Sequence, residues 1–101
     1  MKSLSRALLL KSLEGIRDGH LELRLPGGGM RSFGDPASDL HAVAEIRDES
    51  AFRRFAFGGD IAFGETYAEG LWTSPDLPAV TRLAARNMAA FDAGGRLTAT
   101  L

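Results

Sequence analysis

The stretch His20-Leu21-Glu22-Leu23-Arg24-Leu25-Pro26-Gly27-Gly28-Gly29-Met30-Arg31-Ser32-Phe33 decides the fold. Its first six residues alternate without exception, with His20, Glu22 and Arg24 on one side and Leu21, Leu23 and Leu25 on the other. A period of two puts the leucines on one face of a pleated strand, the pattern of a sheet with one dry and one wet face. Pro26 to Gly29 supply the positive φ angles that a tight connection needs, and Met30 to Phe33 return as the partner strand. Gly34-Asp35-Pro36 ends that strand.

Upstream, Leu4, Ala7, Leu8, Lys11 and Leu13 recur at helical spacing with Ser3 as N-cap. They predict a helix over residues 4–17, broken at Asp18-Gly19. Downstream, Leu40, Ala42, Ala44 and Ile46 predict a third strand over 40–47. Asp48 caps a predicted helix over 49–57 that turns Phe52, Phe55 and Ala56 inward and Arg53 and Arg54 outward, and Gly58-Gly59 ends it. A short helix over 63–69 is closed by Gly70, and Leu71-Trp72-Thr73 fits a final strand. Ser74-Pro75-Asp76 reads as an N-cap followed by Pro at N1. The last helix carries Leu77, Val80, Leu83, Ala84, Asn87, Met88 and Phe91 along one stripe and stops at Gly94-Gly95. The expected architecture is α+β: a small antiparallel sheet of three to five strands with helices on one face. Residues 1–93 form the domain, and 94–101 begin a linker or tail.

At 101 residues, 45% hydrophobic and 25% charged, the chain has the size and composition of one globular domain. It contains no cysteine, which excludes disulfides and thiolate chemistry. A net charge of −1 excludes the basic footprint of a nucleic-acid binder. The apolar run Ala7 to Leu10 is far short of the ~20 residues of a membrane span. Lys11, Glu14 and Arg17 interrupt any signal-peptide core, so a cytoplasmic location is expected.

Candidate chemistry is sparse. Gly27 to Gly29 lead into a strand rather than a helix, so they make a hairpin turn and not a phosphate loop. His20 and His41 stand on polar strand faces without clustered carboxylates, a poor metal site. Asp60, Glu65, Tyr67 and Glu69 allow two readings: a carboxylate cluster that accepts an arginine or works as an acid/base pair, or helix capping beside a buried tyrosine. Trp72 is either an anchor at a lipid interface or a core residue. Phe52, Phe55 and Phe57 cannot share one helix face, so one of them points outward or lines a cleft. Arg53 and Arg54 are either solvated or poised for lipid phosphate.

The run Gly58-Gly59-Asp60-Ile61-Ala62-Phe63-Gly64-Glu65-Thr66-Tyr67-Ala68-Glu69-Gly70-Leu71-Trp72, followed by Ser74-Pro75-Asp76-Leu77, resembles the amino-terminal signature of cyclopropane-fatty-acyl-phospholipid synthases. Leu83-Ala84-Ala85-Arg86-Asn87, Leu21 to Pro26 and Phe33-Gly34 extend the likeness. Ala68 and Thr73 depart from it, standing where methionine and aspartate are frequent. The resemblance covers the family's amino-terminal domain and not its methyltransferase domain. It implies a non-catalytic domain of an S-adenosylmethionine-dependent enzyme, peripheral at the inner face of the membrane. Its partners would be phospholipid or fatty acyl chains and the catalytic domain. On that reading the lipid-binding residues are Phe52, Arg53, Arg54, Phe57, Phe63, Tyr67 and Trp72. The structural signature is Gly58, Gly59, Asp60, Gly64, Glu65, Gly70 and Asp76, with Gly58, Gly64 and Gly70 at helix ends or tight packing positions. No glycine-rich S-adenosylmethionine loop follows a strand, so no cofactor is assigned to this chain. A looser similarity to sterol-carrier-type domains implies, as an alternative, a stand-alone lipid carrier. A module that docks or dimerises the catalytic domain is the third reading, and homo-oligomerisation belongs to it.

Overall fold

Leu21 and Leu23 lie buried on one face of strand β1 (His20–Arg24), as their alternation requires. The computed structural model describes residues 4–91. Around β1 it places α1 (Leu4–Leu13), β2 (Met30–Gly34), β3 (His41–Ile46), α2 (Ser50–Ala68), β4 (Trp72–Thr73), α3 (Leu77–Arg86) and α4 (Met88–Phe91). The sheet has four strands in the order β2-β1-β3-β4. Ser3, Gly94-Gly95 and the expected linker lie outside the described residues.

The sheet is mixed rather than wholly antiparallel, because β3 runs parallel to β1. The loop between β2 and β3 explains the direction. At its start Asp35 N–H donates to the Gly19 carbonyl, and at its end the Leu40 carbonyl accepts from His20 N–H. Both ends are thereby pinned to the start of β1, so β3 begins on β1's free flank and follows it. The β1–β2 turn is as expected, with Gly27 and Gly28 at φ +90° and +104°.

The registers stack one apolar face: Leu21 stands opposite both Phe33 and Ala42, Leu23 opposite Ala44, and Ile46 opposite Trp72. Leu9, Leu13 and Ile16 from the α1 segment, Phe52 and Phe55 from α2, and Val80 and Leu83 from α3 complete the core over that face. The opposite face carries His20, Glu22, Val43 and Glu45, all half-buried. The domain is α+β with one sheet face covered.

Helix ends follow local chemistry. After Leu13, tighter i→i−3 bonds carry the chain to Ile16, shortening the α-helix expected to residue 17. Asp48 accepts from Ser50 N–H at 2.9 Å, and that bond holds its carboxyl below the usual range. The α3 cap differs from expectation: it is Asp76, accepting from Ala79 N–H at 3.2 Å, with Pro in the first turn. Ser74, the expected cap, instead donates to the Val43 carbonyl at 2.5 Å and fastens the loop to β3.

Gly70 ends α2 in the left-handed region at φ +80°. Gly70 N–H donates to the Tyr67 carbonyl and Leu71 N–H to the Thr66 carbonyl, the paired bonds of a Schellman motif. Gly70→Val is expected to cost about 2 kcal/mol, since a β-branched residue resists positive φ. A denaturant midpoint unchanged by the substitution would refute that assignment.

The stripe from Leu77 to Phe91, expected as one helix, breaks at Asn87. Asn87 is buried, and its side chain is spent on the opposite end of the chain. Its Oδ1 accepts from the Arg17 and Asp18 amides at 2.9 and 3.1 Å. Its Nδ2 donates to the carbonyls of Asp18 and Leu83 at 2.7 and 2.9 Å.

Candidate functional site

Helix α2 runs from Ser50 to Ala68 without the break expected at Gly58-Gly59. It does not run straight. Arg54 and Glu69 are 15 residues apart, yet the guanidinium meets the carboxylate through two bonds of 2.8 and 2.9 Å. A straight helix would separate those positions by about 22 Å, more than the two side chains can span. A Cβ built on Gly58 would lie 2.7 Å from that of Ala62, where a straight helix keeps such atoms about 5–6 Å apart. The helix therefore folds back near the glycine pair, which offers no side chain to block the inner side of the bend. Glycine here bends the helix instead of ending it.

The bend settles the carboxylate cluster. Arg54 approaches Glu65 at 3.6 Å as well as Glu69. Its hydrogen bond to Glu69 lowers that carboxyl's pKa and raises its own. The arginine that such a cluster would accept comes from the same helix. Gly59 and Asp60 lie within α2, which corrects the reading of Asp60 as a cap; its side chain falls outside the described structure.

Beyond the bend, the second arm of α2 faces α3 across an open groove of about 270 Å³. Phe63, Gly64 and Tyr67 form one wall, Leu77, Val80, Thr81 and Ala84 the other, and Trp72 contributes the β4 side. The Trp72 and Thr81 donors are engaged within the protein. The Trp72 indole N–H donates to the Phe63 carbonyl and to Thr66 Oγ1 at 3.1 and 3.0 Å. The Thr81 hydroxyl donates to the Leu77 carbonyl at 3.1 Å. Tyr67 packs edge-on against Trp72, with ring centroids 5.3 Å apart, and stays partly exposed. Among the described residues no charged side chain lines the groove.

Phe63, Trp72 and Val80 also line an interior void of about 30 Å³, reached by Phe55 and otherwise walled by leucine, isoleucine and alanine. That is about the space of one water molecule and has no polar atom to hold one. Phe55 and Phe63, from the two arms of α2, pack with ring centroids 4.7 Å apart.

Of the residues read as lipid-binding, Phe63, Tyr67 and Trp72 meet in this groove. The others do not. Phe52 is wholly buried beneath the Arg6 guanidinium, Arg54 is held by the two glutamates, and Arg53 and Phe57 are exposed on the first arm of α2, outside the groove lining. Trp72 is 5% exposed, so it is a core residue with one side on the groove. Leu77, Val80, Thr81 and Ala84 were not singled out as site residues. Their spacing along α3 marks an apolar stripe and says nothing about which part is left uncovered.

The signature glycines take three different roles. Gly70 needs its positive φ and Gly58 its close approach, whereas Gly64 sits in ordinary helical geometry with nothing within 4 Å of an added Cβ. That removes the packing reason expected for Gly64, at a position where glycine costs a helix roughly 1 kcal/mol relative to alanine. On the open sheet face, His20 and His41 pack edge to face at 5.3 Å. Among the described residues no three His, Asp or Glu side chains gather as a metal site, and no helix is long and apolar enough to cross a membrane. No family model, curated protein or solved structure matches this chain.

Proposed function

We propose that this domain receives an aliphatic chain of a membrane lipid in the α2–α3 groove, as the non-catalytic amino-terminal part of a cyclopropane-fatty-acyl-phospholipid synthase. The supporting observation is the groove itself: a slot of about 270 Å³ whose described lining carries no charge and whose Thr81 hydroxyl and Trp72 indole N–H are bonded to the protein. Among the described lining residues the Tyr67 hydroxyl is the one polar group not already bonded, too little to pair with a peptide backbone, whereas a hydrocarbon needs no partner. Burying about six methylenes would contribute about 5 kcal/mol at roughly 0.8 kcal/mol each, a sub-millimolar affinity that suits transient presentation. A groove open along its length presents a chain better than it carries one, because a carrier must enclose its cargo and the interior void is far too small. On this reading S-adenosylmethionine belongs to the methyltransferase domain. The strand-to-helix connections here, Arg47-Asp48-Glu49 and Ser74-Pro75-Asp76, contain no glycine to cradle a nucleotide at a helix start.

Trp72 is the chain's only tryptophan, and it supplies the test. Because it is already buried, a blue shift is not the expected signal. Vesicles of anionic phospholipid with bromine on the acyl chains should quench its emission, and unbrominated vesicles should not. Vesicle binding without quenching would place the contact elsewhere, and no binding at low salt would favour a docking module.

A further inference from the structure

We propose that Gly64 is the specificity-determining position of the groove, admitting a single unbranched aliphatic chain; this rests on the reading of the groove as a lipid site. Glycine is the costliest residue after proline in a helix interior, and the fold gives no return for it here. Gly64 has ordinary helical φ, and an added Cβ would touch no protein atom within 4 Å. Two neighbouring glycines answer to the backbone instead: Gly58 to the bend, and Gly70, just past α2, to the left-handed cap.

Gly64 belongs to the groove lining, and no protein atom stands within 4 Å of a Cβ built there, so a side chain at this position has open space beside the groove. Ala84 lines the same groove from α3, so both helices contribute a small residue to it. Tyr67, Leu77 and Trp72 supply the larger apolar surfaces against which a chain packs. The absence of charge in the lining selects the hydrocarbon part of the ligand and leaves its headgroup outside. A methyl at residue 64 would narrow the slot, and a leucine would fill it.

This predicts opposite movements in two measurements, which a merely structural role does not. The probe is cis-parinaric acid, titrated into the native chain, Gly64→Ala and Gly64→Leu, and read by energy transfer from Trp72, with dodecanol as a headgroup-independent competitor. Urea denaturation and sedimentation accompany each protein. Gly64→Ala should resist denaturation better than the native chain yet bind the probe several-fold more weakly. Gly64→Leu should lose at least tenfold, and dodecanol should displace the probe from the native chain. Equal binding by all three folded proteins would overturn the role of Gly64 while leaving the lipid reading in place. No uptake by the native chain would overturn both. A change in association state in place of a change in probe affinity would assign the groove to a second copy of the chain, and would also overturn the proposal.

Discussion

Replacing Asn87 with leucine is expected to destabilise the domain by about 3–4 kcal/mol, although the two side chains are close in size. The substitution removes four hydrogen bonds and leaves the Arg17 and Asp18 amides facing a hydrocarbon. Each bond contributes about 1 kcal/mol net, and because Arg17 and Asp18 are exposed, water reaching their amides keeps the further cost of stranding them small. The adjoining surface pair of Arg86 and Asp18, 3.4 Å apart and largely exposed, is the control. Arg86→Ala should change stability by less than about 1 kcal/mol. Urea denaturation distinguishes the two, with the midpoint moving and the slope constant for Asn87→Leu. A loss below about 1 kcal/mol would mean that the loop at residues 17–18 is held by something else.

The second large effect is expected at Gly34, the last residue of β2, which lies at φ +89°. A Cβ there would collide with the Gly19 carbonyl and stand 3.0 Å from Ile16 Cγ2. The carbonyl is backbone, bonded to Asp35 N–H, and cannot rotate aside. Gly34→Ala therefore combines about 1–2 kcal/mol of left-handed strain with an overpacking cost of about 1–3 kcal/mol. The expected sum is about 3 kcal/mol. Gly28 separates the two contributions, because it has φ +104° and open space around it. Gly28→Ala should show the strain alone, and equal losses at the two positions would refute the collision. For a domain this size, whose total stability is of order 5–10 kcal/mol, the Gly34 loss is a large fraction.

Local signals in the sequence carried as far as local physics reaches. The alternation of residues 20–25 depends only on the pleat, and the turn at Gly27-Gly28 and the cap at Gly70 depend only on φ. The bend of α2 was half legible. Gly58-Gly59 marks a discontinuity, but whether the hydrogen-bond ladder stops or curves is decided by the Arg54 ion pairs and by the arms packing over the sheet. The parallel course of β3 was not legible, because it follows from two backbone bonds to the start of β1 rather than from the composition of either strand. Asn87 was read as part of an apolar stripe, since its partners lie 69 and 70 residues away.

The same holds for the groove. Phe63, Tyr67 and Trp72 were singled out through the resemblance, and they do converge. On the opposing α3 wall, Leu77, Val80 and Ala84 belong to the apolar stripe read from the sequence, and Thr81 does not. An apolar stripe at helical spacing announces burial, and only the placement of α2's second arm decides that the flank around Thr81 and Ala84 stays open. The same reading groups Arg53 and Phe57 with these residues, and the bend separates them from the groove.

The tie between the first and last segments has a consequence for synthesis. Ser12 donates to the carbonyl of Ala90, 78 residues later, at 2.6 Å, and the amides after α1 wait for Asn87. A nascent chain emerges at about 5–20 residues per second and folds as a unit. Helix α1 is thus made well before the residues that lock it. Until the ribosome has delivered residue 90, the apolar side of Leu9 and Leu13 lacks its full cover. During those seconds its apolar side chains are open to non-native contacts.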